Sequence, residues 1–208
     1  MIVQRFINQL MSSNCYVVSD EITKSCIIID PGSEKSKQEI EYIESIQLKP
    51  VYIILTHEHS DHTWGCNALI DKYDVKLICS EACKKELPVS LQSYFRLYYD
   101  DPFYFYVVKR VDITIEELNY ELTWAGHHVM FISTPGHSRG SICFTIDKIL
   151  FTGDTIMQCK PFLNKRDGSK IDYVQSVEKI HNFFNSSTHV YPGHADIFLL
   201  KEGLLHCY

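Results

Sequence analysis

The run Thr56-His57-Glu58-His59-Ser60-Asp61-His62 places three imidazoles and the Asp61 carboxylate within six positions. Neutral imidazole nitrogen and carboxylate oxygen are what zinc or iron(II) accepts, whereas magnesium and calcium prefer oxygen alone. The apolar run Val51-Tyr-Ile-Ile-Leu55 comes directly before it and reads as a buried strand. The cluster therefore falls where a strand ends and a loop opens. Alternation turns His57 and His59 to one side, and Asp61 and His62 open the following segment. Two adjacent metal positions are then geometrically available. In isolation the same residues would describe a solvated polar turn.

Three further turns argue against that reading. His137 lies in Thr134-Pro-Gly-His-Ser-Arg-Gly-Ser141, Asp154 in Leu150-Phe-Thr-Gly-Asp-Thr155, and His194 in Val190-Tyr-Pro-Gly-His194. Each follows an apolar run, and each ligand candidate is preceded by a glycine, as expected where the backbone turns sharply to aim a side chain into a crowded site. Four turns thus supply five histidines and two aspartates, which is hard to explain as ordinary loop composition.

The elements that must position these turns follow from the apolar pattern. Cys15-Tyr-Val-Val18 and Cys26-Ile-Ile-Ile29 read as strands, with Asp20-Glu21 turning between them. Asp30-Pro-Gly32 ends the second, and Ser33 is the expected cap of a helix with apolar positions Ile40, Ile43 and Ile46. Lys49-Pro50 stops that helix. A second helix is expected from His62 to Lys72, and a short strand at Lys76 to Cys79. Between Tyr94 and Tyr106, eight of thirteen residues are aromatic, and Asp100-Asp-Pro102 divides them into an expected helix and an expected strand. Strands are expected again at Asp112–Ile115, Glu121–Trp124, His128–Ser133, Ser141–Ile146 and Ile149–Thr152. A helix at about Asp172–Phe184 and a strand at Thr188–Val190 complete the chain. This rhythm describes an α/β protein.

Length and composition bound the rest. At 208 residues and 45% hydrophobic content, one compact domain spanning 1–208 is expected. The net charge of −6, with no basic block, offers no electrostatic footprint for nucleic acid or anionic lipid. The segment Met1–Met11 is interrupted by Arg5, Asn8 and Gln9 and does not read as a signal peptide, and no run suffices to span a membrane. The eight cysteines are scattered, without any CxxC pair, so buried reduced thiols and a cytoplasmic location are expected.

The set THEHSDH, TPGHSRGS, FTGDT and YPGH resembles the metallo-β-lactamase superfamily, and is most similar to its glyoxalase II-like hydrolases. The motifs run from Thr56 to His194, and the strand ending in Ile29-Asp-Pro-Gly32 also fits. The resemblance implies a four-layer αββα sandwich with the site at one edge, where strand ends converge. It implies two divalent metal ions, zinc in the first place, with iron or manganese as alternatives. Carried over by motif, His57, His59 and His137 would hold one ion and Asp61, His62 and His194 the second, with Asp154 bridging. Two close cations need such a carboxylate between them. The implied reaction is attack of a metal-bound hydroxide on an acyl carbonyl, with Asp61 orienting the hydroxide. Asp30 matches the family's aspartate behind the ligands, although an Asp-Pro-Gly turn explains it equally. Arg139 is a candidate contact for an anionic substrate group, with a solvated surface arginine the favoured alternative. His127, His128, His181, His189 and His206 are expected to be structural or surface residues, and Ser138 and Ser141 to serve loop hydrogen bonding.

The substrate is less defined, because this fold hosts many reactions. Only fourteen residues follow His194, so no expectation of a glutathione-binding helical domain arises. The bridging aspartate counts against β-lactam hydrolysis, and Met157 stands near where acyl-homoserine lactonases carry a tyrosine. In the loop after the GDT turn, only Arg166-Asp167 resembles the family's arginine-containing segment. The aromatic segment at about 90–110 is expected either to wall the pocket or to pack in the core with a dimer contact. A small thioester, ester or lactone is the expected substrate. A mononuclear iron enzyme similar to the persulfide dioxygenases and a non-catalytic metal-binding module are the alternatives.

Overall fold

A computed structural model of the chain describes residues 1–9, 11–90, 99–116, 120–163, 166 and 168–203. The chain folds as two compact units, Met1–Thr114 and Ile115–Tyr208.

In the first unit, β1 (Ile2–Ile7), β2 (Asn14–Ser19), β3 (Ser25–Ile29), β4 (Lys49–Ile54) and β5 (Lys76–Ser80) lie side by side in chain order, and β6 (Ile113–Ile115) completes the sheet. The first three strands pair antiparallel, while β3, β4 and β5 pair parallel. Parallel neighbours need long crossovers. These are α1 (Lys37–Ser45) and then α2 (Ser60–Thr63) with α3 (Cys66–Lys72); α4 (Glu81–Ser90) follows β5. Val17, Ile28, Ile53 and Leu77 pack with Ile43 and Leu69 of the helices in one core. The alternate positions, including Val18, Ile27, Ile54 and Ile78, are buried as well. Burial of both faces explains why these strands read as continuous apolar runs.

Several local expectations are corrected. Ser33 does not cap α1; its hydroxyl donates to Asn8 Oδ1, and Ser36, at φ 42°, precedes the helix without a side-chain cap. The helix expected over 62–72 is split at Trp64-Gly65. Gly65 N donates to Pro31 O at 2.6 Å, and a Cβ at Gly65 would stand 2.1 Å from Ser36 Oγ. That junction is shaped by the Asp30-Pro31-Gly32 loop rather than by helix propensity. The helix α4 was not anticipated, because Pro88 lies inside it.

The strand expected after Pro102 is absent from the described residues 103–110, which are irregular. Side chains fix this backbone instead. Tyr106 OH donates to Thr63 O at 2.9 Å, Trp64 Nε1 to Tyr104 OH at 3.4 Å, and Asn67 Nδ2 to Val107 O at 2.8 Å. Tyr99, Tyr104 and Tyr106 pack on the core, whereas Phe103 and Phe105 are 88% and 68% exposed. The segment therefore contributes both core packing and surface. Tyr94, Phe95 and Tyr98 lie outside the described residues.

The second unit holds β7 (Glu121–Trp124), β8 (His127–Ser133), β9 (Ile142–Ile146), β10 (Ile149–Gly153), β11 (His189–Pro192) and β12 (Phe198–Leu199), in sheet order β12-β11-β10-β9-β8-β7. The meander from β7 to β10 is antiparallel, and β10 pairs parallel with β11 after the crossover α5 (Lys170–Phe183). Ser169 caps α5, accepting from Asp172 N at 3.3 Å. Tyr173, Val177 and Ile180 of α5 pack on Ile132, Cys143, Leu150 and Val190. The strand β12 and the short α6 (Leu200–Gly203) had no clear signal in the sequence.

Among the described residues, no helix is long and apolar enough to cross a membrane. The seven described cysteines are unbridged, and all but Cys159 are buried. Burial pushes the Cys26 thiol up to about 12 and that of Cys143 up to about 11, and raises those of Cys15, Cys66 and Cys83 well above the usual range. Thiolate is the reactive form, so these groups are inert twice over. Brief alkylation of the native protein, mapped by peptide mass spectrometry, should modify Cys159 and spare Cys15, Cys26, Cys66, Cys79, Cys83 and Cys143. Rapid labelling of any of those six would contradict the packing.

Candidate metal centre

Each unit gathers its own share of the candidate ligands. In the first, β3 and β4 run parallel and end together, which brings Asp30 beside Thr56. Asp30 is buried in the left-handed region at φ 50°, a conformation that costs on the order of 1 kcal/mol or more for a residue with a side chain. What holds it there is a saturated carboxylate. Its Oδ1 accepts from Thr56 N at 2.8 Å, and its Oδ2 accepts from Thr56 Oγ1 at 2.6 Å and meets His62 Nδ1 at 3.0 Å.

These bonds bear on two tautomers. With a cation at Nε2, His62 would keep its proton on Nδ1, the nitrogen that lies 3.0 Å from Asp30 Oδ2. The Thr56 hydroxyl spends its proton on Asp30, so it accepts from His57 Nδ1 at 3.0 Å. His57 Nε2 is then the second lone-pair nitrogen. It stands 3.1 Å from His59 Nδ1. Two nitrogens bound at 2.0–2.1 Å to one tetrahedral ion would be about 3.3 Å apart, so this pair fits a shared cation. His62 Nε2 lies 3.5 Å from Asp61 Oδ2, an imidazole-carboxylate pair suited to a second ion.

Asp30, His57 and His62 also offer ligand atoms within 4.8 Å of one another. Both oxygens of Asp30 already face protein groups, Oδ1 one and Oδ2 two. Its contacts reach His62 directly and His57 through Thr56.

The loop behind this cluster is tied by residues that carried no signal in the sequence. Buried Asn8 donates through Nδ2 to Ser13 Oγ at 2.9 Å, to Asp30 O at 3.1 Å and to Asp61 O at 3.3 Å, and Ser13 Oγ also donates to Asp61 O. A Cβ on Gly32 would fall 1.5 Å from Asp61 O. The Asp-Pro-Gly turn is thus the floor on which Asp61 rests.

In the second unit, Asp154 and His137 are buried and His194 is partly exposed. Asp154 Oδ2 lies 3.4 Å from His137 Nε2 and 3.5 Å from His194 Nε2. One carboxylate oxygen therefore stands between two imidazoles. The parallel pairing of β10 and β11 brings the two turns together, and Gly193 N donates to Gly153 O at 2.8 Å. Ser138 and Ser141 bond to each other at 2.9 Å within the His137 loop, as expected.

Two of the three glycines before these ligands have positive φ, Gly136 at 140° and Gly153 at 49°. Gly193 does not; the left-handed residue of that turn is Ala195, at φ 65°. Gly136 is the most constrained, since a Cβ there would lie 2.3 Å from the Tyr173 backbone. Gly136→Ala should lower stability by on the order of 3 kcal/mol, combining backbone strain and overpacking. In a melting experiment that is a Tm fall of about 6–12 °C. An unchanged Tm would mean that the turn tolerates a side chain.

The remaining histidines stand apart from these groups. His127 pairs with Asp147 at 2.7 Å and His128 with Glu121 at 3.1 Å on the surface. His189 is exposed, and His181 sits on α5, its imidazole held toward the neutral form by partial burial. His206 lies outside the described residues.

Comparison with known proteins places this geometry. A family model described as the metallo-beta-lactamase superfamily matches residues 9–183. An uncharacterised protein of Mycobacterium tuberculosis is 26% identical over 94% of this chain and 92% of its own length. A probable polyketide biosynthesis zinc-dependent hydrolase of Bacillus velezensis is 27% identical over 90% of this chain and 75% of its own. A hydroxyacylglutathione hydrolase of Klebsiella pneumoniae is 31% identical over 67% of this chain but only 45% of its own length. Among solved structures, the BLEG-1 B3 metallo-beta-lactamase superposes with a TM-score of 0.86 at 23% identity, covering 99% of this chain and 97% of that one.

Proposed function

The chain belongs to the metallo-β-lactamase superfamily, and from that premise we propose that it is a dinuclear metal-dependent hydrolase of a small thioester, ester or lactone. The proposed ligands are His57, His59 and His137 for one ion, Asp61, His62 and His194 for the other, and Asp154 for both. The two units would act as one catalytic domain. The observation that carries the reading is the Asp154 oxygen standing 3.4 Å and 3.5 Å from the nitrogens of His137 and His194. A carboxylate that only neutralised one histidine would have no reason to face two.

Two divalent ions held this way would lower the pKa of a coordinated water towards neutrality and polarise an acyl carbonyl. The protein's own work is orientation. Asp30 keeps the proton of His62 on Nδ1 and, through Thr56, that of His57 on Nδ1, so both imidazoles present Nε2. Asn8 and Ser13 hold the Asp61 backbone, which fixes the carboxylate proposed to orient the attacking oxygen. The relatives described as a zinc-dependent hydrolase and a hydroxyacylglutathione hydrolase support zinc and acyl cleavage. Six buried, unbridged thiols support a reducing compartment, and the cytoplasm is part of the proposal.

The test is elemental mass spectrometry on protein purified without added metal, followed by a screen of thioesters, esters and lactones with a chelator control. About two ions per chain and chelator-sensitive turnover would support the proposal. One iron per chain with oxygen-dependent turnover would replace it with the dioxygenase alternative. Metal without any turnover would favour a binding module.

A further inference from the structure

The loop that carries His137 is held from outside itself by α5 and its cap. Within the loop, Thr134 N donates to Ser141 O at 3.0 Å and Gly136 N to Ser138 O at 3.0 Å. Pro135 has no N–H to give. Three carbonyls are bonded to the helix instead. Ser133 O accepts from Lys179 Nζ at 2.9 Å, Pro135 O from Ser176 Oγ at 2.7 Å and Gly136 O from Ser169 N at 2.8 Å. Ser169, Tyr173, Ser176 and Lys179 recur at helical spacing, and Gly136 packs on the Tyr173 backbone within the same stripe.

The three bonds differ in what could replace them. Lys179 is exposed, so water can take the place of its ammonium. Ser169 donates through its backbone, which any side chain there would leave in place. Ser176 is 2% exposed, and solvent does not make up for a donor lost from a buried position. A helical serine can also bond the carbonyl four residues back. Ser176 reaches 41 residues along the chain instead.

A peptide group is planar from one Cα to the next. Fixing Gly136 O therefore fixes the plane that ends on the His137 Cα, and fixing Pro135 O fixes the plane before it. The joint between them is Gly136 Cα, at φ 140°, in the residue type with the fewest backbone restrictions. One plane held alone would leave that joint free to swing. Space for a swing exists, because a cleft of about 380 Å³, lined by Arg139, Arg166, Ser169 and Asp172, opens beside Pro135 and Gly136. His137 Nε2 stands 3.4 Å from Asp154 Oδ2. Ligand distances at a metal are held to about 0.2 Å, so even a small swing would be felt.

We propose that Ser176 is a positioning residue of the metal centre, acting through the Pro135 carbonyl to set the His137 imidazole against Asp154. This rests on the dinuclear reading proposed above. Ser176 itself touches neither ion nor substrate in this role.

The test compares Ser176→Ala with Ser176→Thr, which keeps the hydroxyl, in the full-length protein as purified. Ser176→Ala loses one neutral hydrogen bond, so Tm should fall by only about 2–4 °C. In nuclear magnetic resonance spectra of the histidine rings, the His137 signals should move while those of His57 and His62 stay. In a zinc titration against a chromophoric chelator, one of two binding steps should weaken about tenfold, the lower end of the range for partners behind a ligand. The other step should keep its native affinity. Ser176→Thr should restore both readouts. If its methyl lowers Tm instead, Ser176→Cys, a weaker donor of similar size, should fall between serine and alanine.

Unmoved His137 signals or native zinc affinity in Ser176→Ala would overturn the proposal. Equal weakening of both steps with a larger Tm loss would also overturn it, since Ser176 would then serve packing alone. Moved His137 signals in a protein whose native form binds no zinc would sink the dinuclear reading and leave the coupling of α5 to His137 standing.

Discussion

Asp154→Ala is expected to remove nearly all turnover and to lower metal content from about two ions per chain to one or none. The reason is the placement of a single oxygen. Asp154 Oδ2 lies 3.4 Å from His137 Nε2 and 3.5 Å from His194 Nε2, and its side chain is 8% exposed. In the proposed set it serves both ions, so truncation removes a ligand from each and leaves two cations with no negative charge between them. Loss of a residue that merely supports a ligand costs about 10–100-fold; loss of the bridge should exceed 100-fold. Fold loss is not the expected cause. The turn is held by bonds that do not use this side chain, among them Thr155 N to Thr152 O at 3.1 Å and Thr152 Oγ1 to Ile156 O at 2.8 Å. A near-native melt with depleted metal would therefore be the signature. Full turnover with two ions bound would remove Asp154 from the centre.

Asp30→Asn is the subtler change and should be nearly as damaging. Size is preserved, and asparagine Oδ1 can still accept from Thr56 N. The other end of the amide, however, is a donor where Oδ2 accepted from Thr56 Oγ1 at 2.6 Å and met His62 Nδ1 at 3.0 Å. Two donors cannot face each other, so His62 would shift its proton to Nε2, the atom proposed for the metal. The Thr56 hydroxyl would turn to accept, and its bond from His57 Nδ1 would weaken in step. One atom exchange thus disturbs both imidazoles without touching either. Metal affinity should fall by about 10–100-fold, the range for outer partners of ligating histidines. A chelator-competition titration reads this directly. Unchanged affinity would return Asp30 to the role of a plain turn residue.

The same residue shows how far the sequence reached. Asp30 was legible as a match to a family motif and equally as an Asp-Pro-Gly turn, and nothing in the string decided between them. The decision came from Thr56 and His62, which are 26 and 32 residues away. Asn8 and Ser13 illustrate the limit more sharply. They bind the backbone of Asp30 and Asp61, and a backbone carbonyl has no identity in a sequence. The aromatic segment was misread for a related reason. The aromatic run after Asp100-Asp-Pro102 led to the expectation of a strand, yet Tyr104 accepts from Trp64 and Tyr106 donates to Thr63, so pairing lost to side-chain anchoring.

What the sequence by itself determined was the chemistry and the frame. Ligand types are chosen by the metal's preference for nitrogen and oxygen, and the apolar runs that carry them are set by burial on both faces of each sheet. Both properties are local, so they are written in order along the chain. Tertiary structure alone decided which nitrogen of His57 and of His62 faces its hydrogen-bond partner, which carboxylate braces imidazoles and which faces two histidines, and that Arg139 and Arg166 share one cleft. Those outcomes depend on donors and acceptors brought together across tens of residues. Distances of about 3 Å between such groups exist only once the chain has folded.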